Sequence, residues 1–302
     1  MHCNYDCAGC YSRDRSTENE LLSEELNIFF TQAENYGVHT IVLTGGEPLL
    51  RLDLPDLILK HKNLLFILIT NGSLITPEIA HSIKSDNIIP LVSIEGPSQY
   101  TDERRNPGAY ETAIKALSNF QKAKLNFGFA ATITKANFNQ VVSDTFIDHM
   151  IAMRCSLGAF IEYVPCGPKP RLDWVMDTIT REDIRQHVLK QRRQKPIILI
   201  QFPHDEYGSE NHCKAAGQTF LHINAQGDVE PCPFVSISRD NIRSGGLLAA
   251  CQSTFMRDIR EQPQLLQRNL LACSLFEHRD EIAILAKKHA KLQETIEHNA
   301  QH

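Results

Sequence analysis

Apolar residues along the chain fall into two alternating patterns. Leu26, Phe29, Phe30 and Ala33 recur at the spacing of one helix face behind the polar opening Ser23-Glu24-Glu25, and Gly37 marks the end of that helix. His39-Thr40-Ile41-Val42-Leu43 is then a short run of the kind buried in parallel sheets. The alternation repeats: strand-like runs at 65–69, 88–94, 127–133 and 157–164 are separated by helical stretches at 76–84, 110–122 and 137–152. Pro90 predicts an edge strand or a strand entry, because proline has no N–H to give to a ladder. Five strands joined by helical crossovers fit a parallel barrel or a doubly wound sheet.

The texture changes at Pro165-Cys166-Gly167-Pro168-Lys169-Pro170. A charged helix near 180–194 and a strand at 197–202 follow, and a boundary is expected near residue 205. The middle of residues 212–234 reads as a β-hairpin turning at Gln226-Gly227-Asp228, and 247–251 as the apolar face of a helix. The last stretch, 279–297, is a charged amphipathic helix whose alternating signs suit a solvated face. Three segments result: 1–204, 205–280 and a terminal helix over 281–302.

At 302 residues the chain can hold one large α/β domain with a small appendage. Hydrophobic content of 42% and charged content of 22% are those of a soluble globular protein. The net charge of −5, from 36 acidic and 31 basic side chains, gives no electrostatic case for nucleic acid. No apolar run reaches membrane-spanning length and none reads as a signal peptide, so a cytoplasmic protein without a membrane partner is expected. Nine cysteines, an odd number, then point to metal or redox chemistry rather than disulfides.

Three of those cysteines, Cys3, Cys7 and Cys10, share one short loop. A 4Fe-4S cluster normally takes four thiolates, one per iron, so three would leave one iron open to a ligand that is not protein. A zinc knuckle completed by His2 and a set of packed structural thiols are the competing readings. Downstream, each strand-like run ends in a polar cluster: Thr44-Gly45-Gly46-Glu47-Pro48, Thr70-Asn71-Gly72, Ser93-Ile94-Glu95-Gly96, Thr132-Ile133-Thr134 and Tyr163-Val164-Pro165. In a parallel barrel all of these would face one mouth. Glycines there let a ligand approach the backbone, and Glu47 adds an acceptor suited to an ammonium group.

The Cys3, Cys7, Cys10 spacing, the Gly45-Gly46-Glu47-Pro48 turn, and the stretch from Ser93-Ile94-Glu95-Gly96-Pro97 to Arg105 together resemble the radical S-adenosylmethionine (SAM) superfamily. That resemblance implies a partial (β/α)6 TIM-like barrel, with a 4Fe-4S cluster on Cys3, Cys7 and Cys10 and SAM chelating its open iron. It implies reductive cleavage of SAM to a 5′-deoxyadenosyl radical that abstracts hydrogen from substrate. By the same match Gly45, Gly46, Glu47, Pro48 and Asn71 would line the SAM site, and Ser93 and Arg105 would hold its carboxylate, Arg105 through its planar fork. Glu95 stands where the family usually has Asp. The family's first strand ends just before the cysteine loop, and only Met1 and His2 precede Cys3, so that strand is expected to be missing or truncated.

A second cysteine set lies beyond residue 205. Cys213 and Cys232 flank the expected hairpin, and their pairing resembles the SPASM or shorter Twitch extension that carries auxiliary iron–sulfur clusters. Cys273 is the third candidate ligand; Cys251 is either a fourth or a packed helix thiol. Three ligands would leave an iron open to substrate, and four would close the cluster. Cys155 reads as packing, and Cys166 as a loop thiol near the mouth or a hydrogen-atom donor. Only His298 and His302 share a His-x-x-x-His spacing, and no histidine is assigned to metal. Relatives with such extensions act on peptides or proteins undergoing maturation, on tetrapyrroles or on cofactor precursors, and the segment from Ser93 to Arg105 is most like the peptide-modifying branch. A flavodoxin or ferredoxin would serve as low-potential electron donor. A non-catalytic iron–sulfur carrier is the alternative from a different class.

Overall fold

The computed structural model describes residues 2–13, 15–208 and 211–300, with side chains to residue 290, so His298 as a side chain and His302 lie outside it. Six parallel strands form one sheet in sequential order: β1 (Thr40–Leu43), β2 (Leu65–Thr70), β3 (Ile88–Ser93), β4 (Gly128–Ile133), β5 (Leu157–Glu162) and β6 (Ile198–Phe202). The sheet curls into a partial (β/α)6 barrel. Helices α1 (Ser23–Asn35), α2 (Leu54–Lys60), α3 (Pro77–Ser82), α4 (Ser98–Arg104), α5 (Ala109–Ala123), α6 (Phe138–Val141), α7 (Asp144–Ala152) and α8 (Thr178–Gln194) supply the crossovers. Parallel strands need such connections because their ends lie a full strand length apart.

Burial follows from the two faces of the curled sheet. The convex face packs Phe66, Leu68, Val92, Phe129, Ala131 and Phe160 against the helices in one large apolar core. Helix α5 turns Ala113, Ala116, Leu117, Phe120 and Ala123 to that core, the 3.6-residue stripe that its sequence encodes. The concave face carries a smaller group, Leu91, Ala130 and Leu157, flanked by half-buried Ile67, Ile69, Ile89, Ala159 and Ile200. That inner face is left partly open toward the strand C-termini.

Two expectations are corrected. Pro90 lies in β3, between β2 and β4, not in an edge strand. Even-numbered positions of β3 aim at β4, as the bond from Ile94 N to Ala130 O shows. Pairing with β4 begins only at Leu91, so the missing N–H of Pro90 points where no ladder has started. The single helix expected over 137–152 is split into α6 and α7, because the Ser143 hydroxyl accepts from Phe146 N and starts a new helix. The outer edge of β1 is unpaired among the described residues, and Val42 on it is exposed.

The C-terminal portion has its own apolar core and a small antiparallel sheet, β7 (His222–Ile223), β8 (Asp228–Glu230) and β9 (Asp240–Asn241). The hairpin turns slightly earlier than its sequence suggests: Asn224 Oδ1 accepts from the N–H groups of Gln226 and Asp228 and closes the turn. Helices α9 (Ile242–Cys251), α10 (Thr254–Arg260), α11 (Pro263–Leu266), α12 (Ser274–Glu277) and α13 (Arg279–Ala300) complete the chain. No described helix is long and apolar enough to cross a membrane.

Arginine hydrogen bonds tie this portion to the barrel. Arg181 of α8 donates through Nε to Glu162 at the end of β5 (2.6 Å) and through Nη1 to Leu270 O. Arg268 crosses over the Tyr207 ring and donates to Nε2 of His204 at 3.1 Å. Burial, then Arg268 and Arg185, pull the His204 imidazole down to about 4 from its usual 6.5. The neutral ring is therefore the folded form. Protonating the unfolded chain favours unfolding as pH falls through 6.5, and the loss accumulates until pH 4. Over that window wild type should lose about 1–2 kcal/mol more than a His204→Gln variant, allowing for the partial exposure of the ring. Urea unfolding of both proteins across the pH range checks this, and parallel curves would contradict it.

Candidate functional site

The cysteine loop lies against the C-terminal ends of β1 and β2 and the end of α4, held by backbone and short polar side chains. Glu47 N donates to His2 O at 2.8 Å, Ala8 N to Arg104 O at 2.7 Å, and Ser12 Oγ to Gly45 O at 2.9 Å. Asn71 at the end of β2 donates to Asn4 Oδ1 at 2.8 Å, and Asn4 donates to Ser73 Oγ at the same distance. Gly46 permits the closest of these approaches: a Cβ there would sit 1.8 Å from the His2 carbonyl oxygen.

These contacts bring the predicted SAM-site residues to one mouth. Cys3 is exposed, Cys7 buried and Cys10 half-buried. Burial raises the Cys3 and Cys7 thiols, and Arg105 and Arg104 pull Cys7 partly back. The Asn71 amide reaches toward the Cys3 sulfur at 4.0 Å, and Tyr5 N donates to it at 3.5 Å. Among the described residues no three His, Cys, Asp or Glu side chains converge where one ion would sit. A cube spreads its thiolates over separate irons, so three unbridged thiols on one loop suit a cluster better than a single zinc.

Glu47 is almost wholly buried and is committed to its own chain. Its Oε1 accepts from Thr70 Oγ (2.7 Å) and Leu49 N (3.3 Å), and its Oε2 from Asn71 N (2.7 Å). Of roughly four lone-pair sites on a carboxylate, about one remains for an ammonium group. Burial pushes its carboxyl up despite those donors. Ser93 is buried at the end of β3 on the concave side, as expected of a residue facing the mouth. Pro48 opens the turn that follows Glu47.

Arg105 has a partner that sequence reasoning missed. Its Nε and Nη2 donate to Glu95 at 2.5 and 2.7 Å, and Arg104 Nη1 donates to the same carboxylate at 3.0 Å. Burial alone would raise the Glu95 carboxyl, but Arg105 and Arg104 hold it below the usual range. The two Glu95 bonds leave Nη1 of Arg105 for a bound carboxylate. The signal was Glu in place of Asp at position 95, one methylene longer and so able to reach the guanidinium.

The second cysteine set is buried. Cys213, Cys232 and Cys273 are 4%, 2% and 1% exposed and share one apolar core. The Cys232 and Cys273 sulfurs are 3.9 Å apart and unbridged. Tyr207 donates to Ala272 O (2.9 Å) and accepts from Ser274 N (2.8 Å), bracketing Cys273. The fold thus brings these three expected ligands into one core. Cys251 is not brought to them; it is exposed on α9. Cys155 is packed in the barrel core, its thiol pushed up to about 12 by burial. Cys166 is buried in the same core as the second set. An open groove of about 1290 Å³ runs along the C-terminal portion past Arg15, Asn224, Glu230, Arg239, Asp240 and His289, and no cysteine lines it.

Removing the charge at Glu95 isolates the problem of two buried guanidinium groups. A Glu95→Gln variant should lose about 3–5 kcal/mol of stability, since breaking a buried pair from one side strands the other charge. Denaturant unfolding measures this; a loss under about 1 kcal/mol would mean that Arg104 and Arg105 are satisfied without Glu95.

Comparison with known proteins agrees with this geometry. The family profile described as Radical SAM superfamily matches residues 2–143. The chain is 29% identical to the Fe-coproporphyrin III synthase of Methanosarcina barkeri over 262 residues, covering 83% of this chain and 64% of that protein. It is 25% identical to the mycofactocin maturase MftC of Mycolicibacterium smegmatis, covering 86% and 70%. In fold it is similar to anSMEcpe solved with bound AdoMet (TM-score 0.68, 15% identity, 100% and 97% covered). It is also similar to Streptococcus suis SuiB bound to the precursor peptide SuiA (TM-score 0.72, 20% identity, 87% and 65% covered). The chain thus spans a little under two thirds of the synthase and of SuiB.

Proposed function

We propose that the chain, whose residues 2–143 match the radical SAM superfamily profile, is a member of that superfamily using SAM and a 4Fe-4S cluster, and that it cleaves SAM at Cys3, Cys7 and Cys10 and abstracts hydrogen from a peptide or protein undergoing maturation. The cofactor pair supplies one-electron cleavage of SAM and a carbon radical able to take hydrogen from substrate. The chain's own residues do the positioning. The loop bonds to Gly45, Glu47, Asn71 and Arg104 fix where the cluster would sit. The Glu47 turn and Asn71 offer polar groups to the amino end of SAM, and Ser93 and the free arm of Arg105 to its carboxylate. In this reading Cys213, Cys232 and Cys273 hold an auxiliary iron–sulfur cluster, and a flavodoxin or ferredoxin delivers the electron.

The observation that carries the peptide reading is the open groove along the C-terminal portion, to whose lining Arg15, five positions after Cys10, contributes. Its walls mix Arg15, Arg239 and Arg257 with Asp228, Asp240 and Asp258. Both signs of charge and open polar walls suit an extended chain better than an apolar macrocycle whose charged groups are all anionic. A second reading, a tetrapyrrole substrate, is favoured by the likeness to the Fe-coproporphyrin III synthase and to AdoMet-dependent heme synthases of 24–25% identity.

Anaerobic reconstitution followed by dithionite and SAM should yield 5′-deoxyadenosine, and the Cys3→Ala, Cys7→Ala, Cys10→Ala variant should yield none. Product from neither protein would contradict the proposal. Titrating iron coproporphyrin III into the reconstituted protein separates the substrate readings. No shift of the Soret band is expected, and a saturable shift with faster 5′-deoxyadenosine release would replace the peptide by a tetrapyrrole.

A further inference from the structure

The second thiol set has a neighbour from outside its own segment. Cys166 follows β5 by four residues, yet it belongs to the core that contains Cys213, Cys232 and Cys273, not to the barrel core. Its backbone is fixed on both sides. Cys166 N donates to Val164 O at 2.8 Å, a tight turn over Pro165. Gly167, at φ +91°, presses against the cysteine loop so closely that a Cβ would lie 2.8 Å from Cys10 O and 3.3 Å from Tyr11 Cα. The turn therefore holds Cys166 in the wall shared by the two cysteine sets.

Within that wall the side chain packs in the core of the second set. Cys166 is only 9% exposed. A thiol this buried is inert as a nucleophile. It shares that core with three unbridged thiols, of which Cys232 and Cys273 lie with their sulfurs 3.9 Å apart.

We infer that Cys166 joins Cys213, Cys232 and Cys273 as the fourth ligand of the auxiliary cluster, so that no iron of that cluster is left open for substrate. The inference rests on the auxiliary-cluster reading above. It takes the fourth position away from Cys251, and it removes Cys166 as a hydrogen-atom donor to substrate. Four thiolates, one per iron, is the complete set for a 4Fe-4S cube.

The test uses the full chain carrying Cys3→Ala, Cys7→Ala and Cys10→Ala, so that any cluster present is the auxiliary one. After anaerobic reconstitution, iron and sulfide are counted, the protein is exposed briefly to ferricyanide, and electron paramagnetic resonance is recorded. An iron without a thiolate is the one lost on oxidation, leaving a three-iron cluster with its own signal. The triple variant should keep all its iron and stay silent. Adding Cys166→Ala or Cys166→Ser should cost one iron per cluster and produce the three-iron signal, whereas adding Cys251→Ala should change nothing. A three-iron signal already in the triple variant would overturn the inference, even if the Cys166 variants fail to fold. Unchanged behaviour on replacing Cys166 would overturn it as well. A triple variant that binds no iron would instead overturn the auxiliary-cluster reading itself, and the inference with it.

Discussion

The close passage of the His2 carbonyl over Gly46 is the contact on which the arrangement of the mouth depends. With a Cβ at position 46 the chain could not cross the end of β1 at that height. Once it crosses there, Glu47 N reaches His2 O and Ser12 reaches Gly45 O, so both flanks of the cysteine loop rest on the same turn. The far side of the loop is caught by Arg104 O, at the end of α4. None of these bonds is strong singly, each contributing about 1 kcal/mol net. Their value lies in joining the ends of β1, β2 and α4 to one short segment that has no regular structure.

A second theme is the treatment of buried carboxylates. Glu95 just beyond β3, Glu162 at the end of β5 and Glu230 at the end of β8 are each nearly inaccessible, and each meets an arginine from elsewhere: Arg104 and Arg105, Arg181, and Arg15. Such pairs contribute little net stability, because desolvation offsets attraction. They do penalise any arrangement that separates the partners. The three pairs sit where the barrel rim, the β5–α8 connection and the hairpin meet, and so fix how loops of different origin fit together. Glu230 extends this by accepting from both Arg15 and His222, which links the residue five past Cys10 to the residue two before Cys232.

Much of the barrel was legible because its signals are local. The β-branched runs at 65–69 and 88–94 and the alanine-rich stripe of α5 announce strand and helix without reference to the rest of the chain. The cysteine loop and the Gly45-Gly46-Glu47 turn were legible for the same reason. What escaped were relations between distant positions. Pro90 fits a central strand because β4 starts one residue late, which no property of residues 88–94 reveals. The hold of Glu95 on Arg105 competes with the role that the fork was expected to play alone, and only the folded rim brings them within 2.7 Å. Cys166 was read with the barrel because its sequence neighbours belong to the barrel; it packs in a core made mostly of residues from 207 onward.

The contrast in burial between the two thiol sets bears on how they would be filled. Thiols must lose their protons to ligate, and Cys213 and Cys166 are each pushed to about 12 by burial, so binding of metal, not the surrounding protein, would have to drive ionisation. Cys213, Cys232 and Cys273 come from three separate stretches that close into one core around Tyr207, Phe255 and Leu275. A cluster of that size cannot enter a finished core, so the inner set would be filled as the C-terminal portion folds. The outer loop is different in kind: Cys3 remains exposed and its anchors are short hydrogen bonds at the rim. The wall formed by Cys166 and Gly167 touches both sets, so completing the inner core also sets the surface on which Cys10 and Tyr11 rest.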